Sequence, residues 1–197
     1  LVKKVARAAT EVLAPWVWVV LLPFAVAATS ENVWETLLWG LVVAVTASVI
    51  PMAVIVRGAR KGKWDGHHVT NREGRLVPLL TAGASLTAGT VVMVLGGAPV
   101  SMLALAGSMF ASLVVSMAIT FGLKWKISLH AGVAWAAVVT LAIVFGPLLL
   151  LVALPAALVS WSRVELGDHT AGQVLGGTAM GLVVGGGTFW ALLTAFA

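Results

Sequence analysis

The feature that most constrains this chain is its division into long apolar runs separated by short polar segments. The runs occupy residues 12–28, 36–56, 76–97, 99–123, 128–145, 148–161 and 170–197. A helix rises about 1.5 Å per residue and a bilayer's hydrocarbon core is about 30 Å thick, so about 17 to 25 apolar residues make one crossing. The pattern predicts an all-α, polytopic transmembrane helix bundle of six or seven spans, with residues 1–197 as a single integral membrane domain. The run at 148–161 is short and carries Pro155, which predicts a kinked or strongly tilted span.

Composition excludes a soluble domain. Only 10% of the residues are charged and the mean hydropathy is +1.06, whereas a soluble chain needs roughly a quarter of its residues charged. Without cysteine there is no thiol nucleophile, disulfide or thiolate metal site. The pI near 10.3 does not point to nucleic acid, because the cations sit in membrane loops. Membrane lipids and their phosphate headgroups are the expected anionic partners. The oligomeric state is not legible.

At the amino end, Lys3, Lys4 and Arg7 share one helical face and Leu1, Val2, Val5 and Ala9 another. This is the pattern of a short interfacial helix over residues 1–11, followed by a retained first span rather than a cleaved signal. Gly96-Gly97 before Pro99, and Gly146-Pro147, predict tight turns between antiparallel neighbours. Gly172, Gly176, Gly177, Gly181 and Gly185 form a small-residue seam, expected to pack helices within the monomer rather than to dimerise it.

Three segments, 57–75, 124–130 and 162–173, hold nearly all the polar chemistry. All follow even-numbered spans in a seven-span count, so they are expected on one side of the membrane. The last reads Ser162-Arg163, five residues, His169, then Gln173 one helical turn on, spaced to orient the imidazole. The second places Lys124, Lys126, Ser128 and His130 at the mouth of a span, a mixture suited to holding a phosphate and protonating a departing oxygen. The first ends in Arg72 and Arg75, three apart and able to fork around phosphoryl oxygens.

These segments resemble the motifs of the type 2 phosphatidic acid phosphatase and vanadium haloperoxidase superfamily, which are Lys-x6-Arg-Pro, Pro-Ser-Gly-His and Ser-Arg-x5-His-x3-Asp. The third motif matches at Ser162, Arg163 and His169, with Gln173 where the family has Asp. The second keeps Ser128 and His130, with Ile127 and Leu129 in place of Pro and Gly. In the first, Arg75 suits the Arg, Leu76 stands for Pro and His68 for the Lys, a missing cation that Arg72 or Lys126 would supply.

The resemblance implies a membrane lipid-phosphate phosphatase working through a phosphohistidine, without metal or other cofactor. His169 would be the nucleophile, His130 the acid for the leaving alkoxide, and Gln173 the orienting partner of His169. Arg72, Arg75, Lys124, Lys126, Ser128, Ser162 and Arg163 would bind the substrate phosphate. An amide at 173 keeps the orienting role but offers no net charge, so Gln173→Asp is expected to keep or raise turnover. Asp168 is given no orienting role. Two other readings compete. One is a catalytically weakened lipid-phosphate binder or carrier. The other is a metal-dependent enzyme using Asp65, His67, His68, His130 and Asp168, which lack a recognised ligand spacing.

Topology has a separate basis. In the seven-span count every Lys and Arg, from Lys3 to Arg163, falls on the side of the amino terminus and the motifs, opposite Glu31 and Glu35. Short cytoplasmic loops carry that excess, which predicts a multi-pass protein of the cell membrane with a cytoplasmic site.

Overall fold

The computed structural model describes residues 1–64, 69 and 73–196. Its regular structure is helical throughout the described residues. Helices α1 (Val2–Val12) and α2 (Pro15–Ala27) meet at a 44° bend, where Pro15 lacks the N–H that would continue the ladder. Asn32 starts α3 (Val33–Ala44) by accepting the Trp34 N–H at 3.0 Å. A π-helical turn (Val45–Val49) joins α3 to α4 (Ile50–Arg60) in one 28-residue helix. Pro51 follows that turn and withholds a donor from it, the usual local cause of such a bulge.

Next come α5 (Leu76–Leu95) and α6 (Val100–Met117), the latter ending in a second π-helical turn (Ala118–Gly122), and then α7 (Leu129–Phe145). A 3-10 segment (Pro147–Val152) leads into α8 (Ala153–Glu165). A third π-helical turn (Gly181–Gly186) fuses α9 (Ala171–Met180) and α10 (Gly187–Phe196). The expected turns are present, with Gly97 at φ +72° and Gly146 at φ +94°. Both values lie where glycine alone is unstrained.

Among the described residues five helices are long and apolar enough to cross a membrane, Val33–Arg60, Leu76–Leu95, Val100–Gly122, Pro147–Glu165 and Ala171–Phe196, or six if the bent α1–α2 pair is one span. The chain is an all-α, multi-pass membrane protein. The remaining apolar run is α7, at 17 residues shorter than these. The segment expected to be kinked or strongly tilted at Pro155 is one 19-residue helix, Pro147–Glu165, that opens with a 3-10 turn. The 3-10 turn absorbs the irregularity, and Pro155 falls in the first turn of α8, where no intrahelical donor is lost.

The chain forms two compact units, Leu1–Trp18 with Gly107–Ala197, and Val19–Ala106. In the second, the π-helical turn packs on α5, where the Ser85 hydroxyl donates to the Thr46 carbonyl at 2.5 Å. Trp64 closes the end of α4 by donating to the Ile55 carbonyl at 2.8 Å. In the first, α7 is the central helix, packed by α8, α9 and the turn Gly181–Gly186. Its contact with α8 is built from buried Ala134 and Val138 on α7 and Ala156 and Val159 on α8, small enough for close approach.

Four glycines of the seam, Gly176, Gly177, Gly181 and Gly185, pack within the chain, whereas Gly172 is exposed. A Cβ on Gly177 would strike the Ser128 carbonyl, one on Gly181 the Gly132 carbonyl, and one on Gly185 would lie 2.6 Å from the Ala136 Cβ. Gly176 instead receives the Trp125 ring. Helix α1 is present, but its buried stripe is Ala6, Ala9 and Thr10, against α8. Leu1, Val2 and Val5 of the expected apolar face are exposed.

Candidate functional site

The spacing between Arg163 and His169 has a local cause. Helix α8 ends at Glu165, and Gly167 takes φ +75°, a left-handed stop that favours glycine. The chain turns back so that the His169 N–H donates to the Arg163 carbonyl at 3.1 Å. The same turn returns Asp168 to its neighbour's helix, where it pairs with Arg163 Nη2 at 2.9 Å. Asp168 therefore has a role, as the counter-ion of Arg163, that its adjacency to His169 concealed.

Helix α9 begins at once. Thr170 is its N-cap, accepting the Gln173 N–H at 3.3 Å, while Gln173 Oε1 accepts the Thr170 N–H at 3.2 Å. This reciprocal capping box settles which amide atom faces inward, because only the oxygen can accept from Thr170. The same oxygen lies 3.1 Å from His169 Nδ1, and the Lys126 carbonyl lies 3.2 Å from it. Two acceptors meet one ring nitrogen, so Nδ1 carries a proton, and in the neutral ring Nε2 has the lone pair. Gln173 lies in contact with His169, at the spacing read from the sequence, together with a main-chain partner that the sequence does not disclose.

That carbonyl is delivered by a strained loop. Lys124 adopts φ +53°, a conformation costly for a side-chain-bearing residue. The Trp125 N–H donates to Ile119 at 3.2 Å and the Ile127 N–H to Trp125 at 3.0 Å, with Ile127 fully buried. Ser128 then caps α7, its Oγ accepting the Ala131 N–H at 3.4 Å, and its own N–H donates to the Gln173 carbonyl at 3.1 Å. The second and third motifs thus meet at one end of the first unit. Ser128 and His130 are buried, at 0% and 5% exposure. Lys124 is exposed and Lys126 half-buried.

Ser162 departs from its expected role. It is fully buried and its hydroxyl donates to the Val159 carbonyl at 2.7 Å. A hydroxyl has one proton, so Ser162 has none left for a phosphate. Arg163 is 1% exposed. Its Nη2 meets Asp168 and its Nη1 meets Thr10 at 3.4 Å, while Nε is buried without a hydrogen-bond partner among the described residues. Leaving a buried guanidinium N–H unpaired is expensive, and an anion is the natural complement.

Arg75 belongs to the second unit, where it is buried and its Nε donates to the Val69 carbonyl at 3.1 Å. Arg72, Asp65, His67 and His68 lie outside the described residues. Among the described residues no three His, Asp or Glu side chains gather as a metal ligand set.

The sequence reading missed Thr10, Asp168 as ion-pair partner, and the Lys126 carbonyl. Only Asp168 had a local signal, the glycine before it. Compared with models of protein families, with curated proteins and with solved structures, the chain finds no match in any of the three.

Proposed function

We propose that this protein is a membrane lipid-phosphate phosphatase acting through a phosphohistidine. The observation that carries the reading is the His169 imidazole, buried and held by two oxygens at Nδ1, so that Nε2 is the nucleophilic nitrogen. Arg163, whose carbonyl accepts the His169 N–H, has its buried guanidinium Nε without a hydrogen-bond partner among the described residues.

In the reaction, the Nε2 lone pair attacks phosphorus as the bond from phosphorus to the lipid oxygen breaks. His130 gives that oxygen its proton, and water then cleaves the phosphorus–nitrogen bond, releasing phosphate and restoring both histidines. Arg163, Lys126 and Ser128 stabilise the charge spread over the equatorial oxygens. Uncatalysed monoester hydrolysis is so slow that a barrier reduction on the order of 20 kcal/mol is needed, and cationic donors preorganised at low dielectric are a suitable source. The lysine and arginine distribution supports a cytoplasmic site.

The test is phosphate release from phosphatidic acid, phosphatidylglycerol phosphate and polyprenyl mono- and diphosphates by protein in nanodiscs. His169→Ala abolishes release. His130→Ala abolishes it for alkyl esters and spares activated aryl esters, whose leaving groups need no acid. Normal turnover by folded His169→Ala overturns the mechanism, and lipid binding without release by the native protein favours a binder or carrier.

A further inference from the structure

We propose that Thr10, on the amino-terminal helix, is a positioning residue that fixes the Arg163 guanidinium. The proposal rests on the phosphatase reading only for its catalytic consequence. Thr10 Oγ1 lies 2.8 Å from Ser162 Oγ and 3.4 Å from Arg163 Nη1, across sequence separations of 152 and 153. All three side chains are buried, at 2%, 0% and 1% exposure.

The proton order in this chain is unique. Arginine only donates, and the Val159 carbonyl only accepts. Ser162 gives its single proton to Val159 at 2.7 Å, so it must accept from Thr10. Thr10, having given its proton to Ser162, must accept from Arg163. The sequence of donation runs from Arg163 Nη1 to Thr10, to Ser162, to Val159. No member can be reversed, so the chain defines one orientation of the guanidinium. This also gives Ser162 a purpose in the Ser-Arg pair, as the anchor through which Thr10 is held.

Thr10 reaches this position because α1 packs on α8 through Ala6 and Ala9, at 0% and 7% exposure. Side chains that small permit close helix approach. Asp168 holds Nη2 from the opposite end of the motif, so the guanidinium is gripped at both terminal nitrogens, while Nε is buried without a hydrogen-bond partner among the described residues. Glu11, next to Thr10, adds negative charge that acts on Arg163.

The experiment compares native full-length protein with Thr10→Val, which keeps the shape and removes the hydroxyl, and Thr10→Ser, which restores it. Nitrogen-15 arginine spectra, with Arg163→Lys for assignment, report on the guanidinium without any reaction. Expected are distinct, slowly exchanging Arg163 Nη signals in the native protein and Thr10→Ser, and averaged ones in Thr10→Val. Alongside this, kcat/KM for phosphate release falls about tenfold in Thr10→Val and recovers in Thr10→Ser, the size expected for one hydrogen bond to a charged group. Unchanged Arg163 signals in folded Thr10→Val overturn the proposal. So does an altered spectrum that Thr10→Ser does not restore. If the native protein releases no phosphate from any lipid, the phosphatase reading fails and the spectra alone decide the role of Thr10.

Discussion

Replacing Gln173 separates two functions that one amide oxygen performs. Gln173→Leu removes the acceptor 3.1 Å from His169 Nδ1 and also the acceptor 3.2 Å from the Thr170 N–H. The Lys126 carbonyl, at 3.2 Å, still holds the ring, so the tautomer survives and only part of the restraint is lost. One net hydrogen bond is about 1 to 1.5 kcal/mol, which corresponds to about a tenfold fall in kcat. Loss of the capping contact adds about 0.5 to 1 kcal/mol of destabilisation. Gln173→Glu keeps both contacts, because Glu serves a capping box as Gln does, and adds a charge. A carboxylate at that distance favours the imidazolium, so the acid limb of the pH–rate profile, where the nucleophile loses its proton, moves to higher pH. Above that limb the rate equals or exceeds the native one. Gln173→Asp is one methylene shorter and cannot keep the ring and the cap together, so it is now expected to fall below Glu, revising what the motif alone implies. Phosphate-release rates from pH 5 to 9 and thermal melts in the same nanodiscs measure both effects. Full activity of Gln173→Leu would refute the orienting role, and an unmoved acid limb in Gln173→Glu would show that position 173 does not face the titrating ring.

Three further outcomes are expected. Gly177→Ala drives a methyl into the Ser128 carbonyl, costing about 1 to 3 kcal/mol of stability and depressing activity, whereas Gly172→Ala, with only Thr170 Oγ1 nearby at 3.9 Å, leaves melting temperature and rate close to native. Asp168→Asn removes the counter-ion of Arg163. It lowers stability by about 1 to 3 kcal/mol and tightens inorganic phosphate binding in calorimetry, and weaker phosphate binding would argue that Asp168 shapes the site rather than neutralises it. For topology, Ser30→Cys is labelled by an impermeant thiol reagent on intact cells and Lys63→Cys is protected, the reverse pattern placing the site outside. Lys63 is preferable to Gly62, whose φ of +68° would strain a cysteine.

Hydropathy alone made the helical membrane architecture legible, because backbone groups in lipid must be satisfied internally. The Gly177, Gly181 and Gly185 spacing likewise marked a packing seam before its partner helix was known. The pairing of His169 with Gln173 could be read because both lie within one helical turn. Thr10 could not be, since its partners are more than 150 residues away and no local pattern encodes α1 lying on α8. Ser162 was misread for a related reason. Its residue type permits phosphate binding, and only its burial and its bond to Val159 show where the proton goes. The π-helical turns were equally invisible, because sequence periodicity treats every helical ladder as regular, whereas the extent of α7 matches the apolar run at 128–145.

The capping box at the start of α9 also makes the imidazole and the first turn of that helix thermodynamically reciprocal. One acceptor serves both the Thr170 N–H and the His169 ring, so whatever holds the ring in place must also suppress fraying of the turn, and by the same amount of free energy that the turn contributes to holding the ring. Substitution at Nε2, whether by a phosphoryl group or a bound anion, is then registered as slower amide exchange at residues 170–174, a signal carried by the backbone with no helix having to move.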